Sequence, residues 1–515
     1  MSITYADLIA TALGRHRDAI AFEQDGRRIG YAAAADLVGR LMRALSDRGV
    51  GAGTGVAVLA APRPEAWLAM AATHLLGARC TALHPLGSLE DHLFVCDDAE
   101  IDTLLVDMAT FGARGVELRD GAASLRQLLS IGRSPDAVDV LALAAECTPA
   151  PLAPTVDERD PCWVLYTGGT TGRPKGVVLS HRAFATMALT ALAEWEVPGE
   201  ARYLAASPIT HAAGTLVVPV LLRGGTVHLH SAFDPGRYLD TIARERITLC
   251  FGVPAMVDAL LAHPALETTD TTSLRTFVYA GSPMPPARLE QALARFGPVF
   301  LQFYGQTEST ALGTALARRD HDPAIPGRLS TCGTAVASVR LQLQDDDGAH
   351  VADGDVGEIC LQGPSVMDRY WGQPELTAET LRGGWLHTGD VAVRDADGFL
   401  TIVDRRKDMV VSGGFNVFPR EIEDVLNAHP AVAAAAVIGV PDDRWGEAVK
   451  AIVVLRADAD VSAADLIAVV REHKGPVYAP KSVDFVDALP LTPVGKADKR
   501  ALRARHWSGE QRLVH

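Results

Sequence analysis

The chain has 515 residues, of which 48% are hydrophobic and 22% charged, a balance that excludes an intrinsically disordered chain and a membrane-embedded one. Its formal net charge of −15 provides no basic surface to neutralise nucleic-acid phosphates, so we expect no nucleic-acid partner. The length exceeds what one hydrophobic core supports and predicts at least two domains.

The sequence also bears on where the chain is located, on the state of its cysteines and on its assembly. No stretch approaches the roughly 18 consecutive apolar residues of a membrane span, and the first residues carry no leader pattern, so we expect a cytoplasmic protein without an integral membrane segment. The seven cysteines are scattered without a C-x-x-C pair, which predicts buried free thiols. Because homodimers are the commonest oligomers among soluble proteins, we expect a monomer or a homodimer.

Short β-branched runs alternate with longer amphipathic stretches between residues 55 and 305, which predicts βαβ units and mostly parallel sheets. The predicted elements are, in chain order, a strand at Val56 to Ala60, a helix at Glu65 to Leu76, a strand at Leu104 to Val106, a strand at Phe277 to Tyr279, a helix at Arg288 to Phe296 and a strand at Val299 to Phe303. The predicted fold class of this large N-terminal region is α/β.

A different pattern follows Gly333. Two runs, Val339 to Gln344 and Glu358 to Leu361, flank the turn Asp345 to Gly348 and predict a hairpin in an antiparallel β-layer.

The last part of the chain, after the charged cluster Asp404 to Asp408, predicts a helix at Pro419 to Asn427 and strands at Val432 to Val440 and Ala448 to Leu455. We therefore predict a large domain over residues 1–403, a hinge at 404–408 and a small, mobile α+β domain over 409–515.

The strongest local motif is the glycine- and threonine-rich stretch Tyr166 to Gly176, which follows the apolar strand Cys162 to Leu165 and precedes a helical stretch from about His181. Its backbone N–H groups, hydroxyls and terminal ammonium suit a polyphosphate. It is not a Walker A loop, because Arg173 and Pro174 separate Gly172 from Lys175, whereas a Walker A loop has its lysine directly after a glycine. A flexible linker is the alternative for such a run.

Lysine usage argues against that alternative. Only seven of the 48 basic residues are lysines, so a retained lysine more often needs the compact ammonium that arginine does not supply. The seven lie at positions 175, 407, 450, 474, 481, 496 and 499.

The loop resembles the phosphate-binding signature of the acyl-adenylate-forming (AMP-binding) superfamily, which includes acyl-CoA synthetases, peptide-synthetase adenylation domains and luciferases. Further segments resemble the family's motifs, in the family's order, and the resemblance extends from about Tyr31 to Ala501. These segments are Pro208 to His211, Tyr279 to Pro283, Tyr304 to Glu308, His387 to Asp390, Ser412 to Pro419 and Pro490 to Lys496.

The resemblance implies an ATP site. In it Tyr304 stacks on adenine, Thr307 contacts the α-phosphate, Glu308 holds Mg²⁺, and Asp390 and Arg405 bind the ribose. The full set of implied nucleotide-binding residues is Thr167, Gly168, Gly169, Thr170, Thr171, Gly172, Lys175, Gly281, Ser282, Tyr304, Gly305, Thr307, Asp390 and Arg405.

Four residues are implied in catalysis. Lys496 reaches the substrate carboxylate and the α-phosphate, His211 lines the acyl pocket next to the carboxylate, and Glu308 holds the metal. The fourth, Lys407, is the hinge about which the small domain turns between half-reactions. Gly413 and Gly414 leave space for the pantetheine arm of coenzyme A.

The implied acyl pocket is lined largely by small residues, which predicts a medium-chain fatty acid or an aryl or cinnamoyl-type acid. No aspartate lies between Thr210 and Thr215 to hold an α-amino group, which argues against amino acids. The substrate residues are His211, Ala212, Ala213, Gly214, Ala280, Gly305, Gln306 and Thr310.

The motif series predicts ATP-dependent activation of a small acid as acyl-AMP, followed by thioester formation with coenzyme A. The alternatives are transfer to a carrier protein's pantetheine, interception by an amine and activation of nitrite for diazotisation. A non-catalytic nucleotide sensor is disfavoured, because Lys496 and Glu308 are both present. One departure from the family is Gly168, where a serine is common, so a phosphate contact is missing and nucleotide affinity is expected to differ.

Overall fold

The computed structural model describes residues 3–167, 174–405, 408–412, 415–442, 446–457, 459–492 and 496–507. The chain forms two compact units. The first comprises Met1–Met284, Arg288–Leu341 and Leu361–Leu386, and the second comprises Pro285–Ala287, Gln342–Cys360 and His387–His515. Among the described residues, no helix is long and apolar enough to cross a membrane.

The strands, numbered in chain order, include every strand predicted from the sequence. They are β1 (Ile20–Gln24), β2 (Arg27–Gly30), β3 (Gly55–Leu59), β4 (Arg79–Ala82), β5 (Thr103–Val106), β6 (Gln127–Ser130), β7 (Val138–Asp139), β8 (Pro161–Thr167), β9 (Lys175–Ser180), β10 (Arg202–Ala205), β11 (Thr226–Leu229), β12 (Leu249–Gly252), β13 (Thr276–Tyr279), β14 (Phe300–Tyr304), β15 (Thr314–Leu316), β16 (Thr334–Ala335), β17 (Arg340–Gln344), β18 (Val356–Gln362), β19 (Arg369–Tyr370), β20 (Leu386–Arg394), β21 (Leu400–Arg405), β22 (Val410–Ser412), β23 (Phe415–Val417), β24 (Val432–Asp442), β25 (Gly446–Leu455) and β26 (Ser482–Phe485).

The helices agree equally well with the predicted ones. They are α1 (Tyr5–Arg15), α2 (Tyr31–Ser46), α3 (Pro64–Leu75), α4 (Leu89–Asp98), α5 (Met108–Gly121), α6 (Val140–Glu146), α7 (His181–Glu194), α8 (Val217–Leu222), α9 (Pro235–Arg244), α10 (Pro254–Ala262), α11 (Pro286–Phe296), α12 (Pro374–Thr380), α13 (Pro419–Asn427), α14 (Ala463–Lys474) and α15 (Lys499–Arg503).

Two large sheets organise the first unit. One has nine strands in the order β16-β15-β14-β13-β12-β10-β11-β1-β2, and the other has eight in the order β19-β9-β8-β4-β3-β5-β6-β7. The strands from β1 to β14 of the first sheet pair in parallel, as do the strands from β8 to β7 of the second. The predicted α/β class is confirmed.

Burial explains why these strands could be predicted from the sequence. Every residue of Gly55–Leu59 and of Thr103–Val106 is buried, as expected for parallel strands covered by helices on both faces. A parallel strand that is covered on both sides appears as a continuous apolar run, and helices such as Pro64–Leu75 return the chain to the start of the next strand.

The second unit contains the antiparallel layer and the α+β region. A four-stranded sheet has the order β17-β18-β20-β21, so the two predicted hairpin strands are neighbours. A five-stranded sheet is built around β24 and β25, which pair antiparallel from Val432 with Leu455 to Asp442 with Gly446. Helices α13 and α14 cover this sheet and close a core around Ile422, Val449 and Leu466.

All seven cysteines are free, and six of them are buried, in agreement with the prediction of unpaired core thiols. The seventh, Cys147, is partly exposed.

Candidate active site

The stem of the glycine- and threonine-rich loop is an antiparallel hairpin. Tyr166 pairs with Gly176 and Thr167 pairs with Lys175 at the point where β8 and β9 approach the loop. The sequence analysis missed β9 and took the loop to lead from a strand towards a helix. The loop residues Gly168, Gly169, Thr170, Thr171 and Gly172 lie outside the described residues.

The base of this hairpin is anchored from outside. The Tyr166 hydroxyl donates to Oδ2 of Asp98, at the end of α4, over 2.5 Å. The Trp371 indole N–H donates to the Asp98 carbonyl over 2.8 Å, and the Trp371 backbone N–H donates to the Gly176 carbonyl over 2.7 Å. Strand β8 is therefore anchored to α4 through Asp98, and strand β9 is anchored to Trp371.

Three of the predicted motifs follow the carboxyl ends of parallel strands in the nine-stranded sheet. His211 follows β10, Gly281 and Ser282 follow β13, and the Tyr304 to Glu308 motif begins at the end of β14. Strands β10, β12, β13 and β14 pair in parallel, so their carboxyl ends lie along one edge. This edge is where α/β sheets bind ligands.

The Tyr304 to Glu308 motif turns sharply after its first residue. Only Tyr304 belongs to the strand, and Thr307–Ser309 form a short 3-10 helix. The chain then takes a left-handed conformation at Thr310, with φ of +51°. A Cβ on Gly305 would lie 2.3 Å from the carbonyl carbon of Ala311, so this return of the chain requires glycine there.

Glu308 has a partner that the sequence analysis did not identify. The Tyr370 hydroxyl donates to Oε1 of Glu308 over 2.8 Å, and Lys175 Nζ lies 5.6 Å from the centroid of the Tyr370 ring. Burial, followed by the neighbouring Glu308, raises the pKa of the Tyr370 phenol well above its ordinary range, so it remains a donor. Tyr370 thus contacts both a predicted metal ligand and the predicted phosphate-loop lysine.

His211 is held against a second histidine. Its ring centroid lies 5.0 Å from that of His84, with the rings at 81°, and its Nδ1 lies 2.8 Å from the Thr210 hydroxyl. Burial, followed by His84, lowers the pKa of His211 to about 4. The backbone N–H of Leu86 donates to Nδ1 of His84 over 3.2 Å, which places the proton of neutral His84 on Nε2. His211 is therefore neutral at physiological pH.

At two of the small residues predicted to line the acyl pocket, the space beside the residue is filled by the backbone of the chain itself. A Cβ on Gly214 would lie 1.9 Å from the Ile209 carbonyl oxygen, and Gly305 faces backbone in the same way. Ala213 and Ala280 are 1% and 3% exposed. The missing side chains at the two glycines therefore add no open volume, and any contact with an acid there is made through the backbone.

Asp390, the predicted ribose ligand, lies in the second unit within β20. It is opposite Arg405 in the register of β20 with β21, and it is 4% exposed. The preceding residues are fixed by Glu358, whose Oε1 accepts from the Gly389 N–H over 2.9 Å and whose Oε2 lies 2.9 Å from Nδ1 of His387. The His387 to Asp390 motif is thus held by a buried carboxylate that the sequence analysis did not single out.

The residues around the predicted hinge and the C-terminal lysine are also in the second unit. Asp404 Oδ2 accepts from the Arg420 N–H over 3.0 Å, and Asp408 forms an ion pair with Arg503 at 2.9 Å. Lys496 is exposed, and its carbonyl accepts from the Thr492 N–H over 2.7 Å. Lys407, Gly413 and Gly414 lie outside the described residues, so their predicted roles stay predictions.

Family comparisons cover both parts of the chain. The family described as AMP-binding enzyme matches residues 9–371, and the family described as AMP-binding enzyme C-terminal domain matches residues 421–496. The chain is similar to the medium/long-chain-fatty-acid–CoA ligase FadD8 of Mycobacterium tuberculosis, with 45% identity over 98% of this chain and 91% of that protein. It is also similar to a feruloyl-CoA synthase of an Amycolatopsis species, with 44% identity over 70% of this chain and 73% of that one.

Among solved structures, the amide bond synthetase McbA from Marinactinospora thermotolerans has the same fold. It matches with a TM-score of 0.90 and 34% identity, over 97% of this chain and 99% of McbA. The similarity therefore extends through both units and is not confined to the nucleotide-binding motifs.

Proposed function

We propose that this chain, which belongs to the AMP-binding enzyme family, is an AMP-forming acyl-CoA ligase. It activates a carboxylic acid as acyl-AMP and transfers the acyl group to coenzyme A. The observation that carries the proposal is the set of motif residues His211, Gly281 and Tyr304 to Glu308 on one carboxyl edge of a parallel sheet. Similarity to a CoA ligase over nearly the whole chain supports it.

In the first half-reaction, a carboxylate oxygen of the acid bonds to the α-phosphorus of ATP, and the bond from that phosphorus to the bridging oxygen of pyrophosphate breaks. Such a displacement is accelerated mainly by positioning and by stabilisation of charge. Lys496 provides an ammonium for the α-phosphate and the substrate carboxylate, and Thr307 provides a hydroxyl. Tyr304 stacks on the adenine, and Asp390 and Arg405 hold the ribose.

The residues present fit Mg²⁺. Glu308 offers the hard carboxylate oxygen that this ion prefers, on a chain turn held by Gly305 and with its orientation fixed by Tyr370. When bound there, Mg²⁺ supplies positive charge to the phosphate oxygens.

His211 serves as a neutral ligand for the reacting acid. Because its pKa is lowered to about 4, the ring carries no charge at pH 7 and offers hydrogen bonding without forming an ion pair with the carboxylate. A carboxylate that is not neutralised by an imidazolium remains the better nucleophile. His84 holds the ring in place by its edge-to-face contact.

In the second half-reaction, the sulfur of coenzyme A bonds to the acyl carbon, the bond to AMP breaks, and the thiol proton is released. We assign this step to a second arrangement of the chain, in which the region after the hinge 404–408 turns about Lys407. Gly413 and Gly414 then border the path of the pantetheine arm. Residues 1–403 and 409–515 are the two domains that move.

The acid is a medium-chain fatty acid or an aryl or cinnamoyl-type acid. The names of two relatives, a fatty-acid–CoA ligase and a feruloyl-CoA synthase, support these two classes equally. Ala212, Ala213, Ala280, Gln306 and Thr310 are the side chains that we assign to its binding, in addition to His211.

A second candidate has an amine as the acceptor of the acyl group. The similarity to the amide bond synthetase McbA favours it, because that structure covers nearly the whole chain. In this case the amine nitrogen bonds to the acyl carbon of the acyl-AMP, AMP leaves, and the nitrogen loses a proton.

The proposed reaction also bears on the location and the partners of the protein. ATP and coenzyme A are available in the cytoplasm, where we place the protein as a monomer or homodimer. The net charge of −15 supports the absence of a nucleic-acid partner.

The test is pyrophosphate release with Mg·ATP across fatty, aryl, dicarboxylic and amino acids and nitrite, each with and without coenzyme A. We expect release with a fatty or aryl acid that becomes multi-turnover only when coenzyme A is present. Release that responds to added amines and not to coenzyme A would favour the second candidate. No release with any acid would refute both.

A further inference from the structure

The segment Ser365 to Trp371, which we call the cross-segment, lies between two of the predicted nucleotide motifs. On one side it is bonded to the Tyr304 to Glu308 motif and the turn that follows. The Thr310 hydroxyl donates to the Ser365 carbonyl over 2.7 Å, and the Met367 N–H donates to the Glu308 carbonyl over 2.7 Å. The sequence analysis assigned no role to the cross-segment.

On its other side, the cross-segment is bonded to the strand that leaves the phosphate loop. The Asp368 N–H donates to the Val178 carbonyl over 3.0 Å, and Tyr370 pairs with Val177 in the antiparallel register of β19 with β9. The Trp371 N–H contact to Gly176 completes this side. The cross-segment therefore joins the metal motif to the phosphate loop through backbone bonds.

The Tyr370 side chain also links the metal motif to the phosphate loop, through its hydroxyl and its ring. Tyr370 as a whole residue is 6% exposed, its hydroxyl donates to Oε1 of Glu308, and the Lys175 ammonium lies 5.6 Å from the ring centroid. That distance is within the range of a cation–π contact. A phenol that donates to one carboxylate oxygen restricts rotation of the carboxylate and leaves Oε2 for a cation.

We infer that Tyr370 is a positioning residue for Mg·ATP: its hydroxyl orients the carboxylate of Glu308 for the metal, and its ring orients Lys175 for the phosphates. This inference rests on the proposed function, since it takes Mg·ATP as the ligand. It assigns to Tyr370 no contact with the acid. The effect of losing the hydroxyl is therefore confined to metal-dependent nucleotide binding.

The test compares Tyr370→Phe with Tyr238→Phe in the whole 515-residue chain. Tyr238 is a matched control, because its hydroxyl is also buried and donates to the Phe251 carbonyl over 3.2 Å in the core of the same unit. ATP binding is measured by calorimetry at a series of Mg²⁺ concentrations, with no acid present. The KM values for ATP and for the acid are then measured separately.

We expect Tyr370→Phe to raise the Mg²⁺ concentration for half-maximal ATP binding about ten-fold, as the loss of one hydrogen bond to a charged group predicts. The acid KM should stay at the wild-type value. Tyr370→Leu, which also removes the ring, should weaken ATP binding further at saturating Mg²⁺, because Lys175 loses its contact. Tyr238→Phe should leave the Mg²⁺ dependence unchanged.

An unchanged Mg²⁺ dependence in Tyr370→Phe would overturn the inference, as would an equal rise in the acid KM, which indicates a general loss of structure. Wild-type protein that binds Mg·ATP but releases no pyrophosphate with any acid would refute the proposed function. The Mg²⁺ titration would then still decide the role of Tyr370. Wild-type protein without Mg²⁺-dependent ATP binding would overturn both.

Discussion

We expect replacement of Lys496 to separate nucleotide binding from the chemical step. It is exposed in the second unit, and its predicted role is to place one ammonium at the reacting carboxylate and α-phosphate. Removing a single electrostatic donor of this kind costs on the order of 10²–10³ in rate. Lys496→Ala should therefore lower acid-dependent pyrophosphate release by about that factor while ATP binding, measured by calorimetry, persists.

Lys481→Ala is the matched control for Lys496→Ala, since Lys481 is another exposed lysine of the same unit. It should retain the wild-type rate. Equal loss of activity in the two variants, or loss of ATP binding in Lys496→Ala, would contradict the assignment.

A second prediction at the scale of single residues concerns acid stability. Burial lowers the pKa of His181 to about 4, its side chain is fully buried, and neither ring nitrogen has a hydrogen-bond partner among the described residues. The unfolded chain therefore binds a proton near pH 6.5 that the folded chain binds only near pH 4, so stability falls as the pH drops between these values. By pH 5 the loss is on the order of 2 kcal/mol.

The measurement is the Tm of wild type and His181→Leu at pH 8, 7, 6 and 5. The variant should lose less Tm on acidification, and the comparison at pH 8, where the ring is neutral in both states, isolates the packing effect of the substitution. Parallel curves for the two proteins would show that His181 does not titrate as its burial implies.

Single residues also mark the limit of the sequence analysis. Lys175, Glu308 and Asp390 could be proposed from the sequence because they occur in ordered motifs with a stated chemistry. Tyr370 and Glu358 were not, because they act through contacts with those residues: Tyr370 is 62 positions from Glu308 and Glu358 is 29 positions from His387. A tyrosine or a glutamate with such a long-range partner leaves no periodic or compositional trace.

At the scale of secondary-structure elements, one prediction concerns the β8–β9 hairpin, whose strands lead into and out of the phosphate loop. The Tyr166 hydroxyl donates a hydrogen bond to Asp98 at the end of α4, over 2.5 Å. Tyr166→Phe removes this hydrogen bond and leaves a partly buried carboxylate without its donor, at a cost of about 1–3 kcal/mol. We expect the KM for ATP to rise several-fold while the acid KM stays constant.

Steady-state kinetics with each substrate varied in turn checks this expectation for Tyr166→Phe. The control variant is Tyr31→Phe, because the buried Tyr31 hydroxyl donates to a different partner, the Gly225 carbonyl, over 2.6 Å. A rise in both KM values would mean that the anchor stabilises the unit as a whole.

Element prediction succeeded where apolar runs were long or clearly bounded. The helix Pro419–Asn427 begins and ends as predicted, since proline marks its first turn. Strand β9 was missed because its apolar run, Val177 to Leu179, is too short to distinguish from the start of the helix at His181 by periodicity. The 3-10 turn of the Tyr304 to Glu308 motif was not predicted, because it depends on the close approach of Gly305 to Ala311.

On the scale of the whole molecule, the proposed mechanism assigns the two half-reactions to two arrangements of the chain, and the predicted hinge at Lys407 can be tested by substitution. Proline at position 407 fixes φ and removes the backbone N–H, which restricts rotation there. Lys407→Pro should keep acid-dependent pyrophosphate release in the first turnover and lose at least most of the thioester formation. Rapid-quench measurement of acyl-AMP and acyl-CoA separates the two steps, and normal thioester formation by the variant would refute the hinge assignment.

The four-stranded sheet of the second unit has a practical consequence for dividing the chain. Its strands β17 and β18 precede β20 and β21 in sequence, with α12 and β19 between them. A truncation that ends before His387 would strip β18 of its neighbour β20 and expose the edge beside Ile359, Cys360 and Leu361, which are all fully buried. Such an uncovered edge invites aggregation. An N-terminal fragment intended for separate study should therefore extend through Arg405.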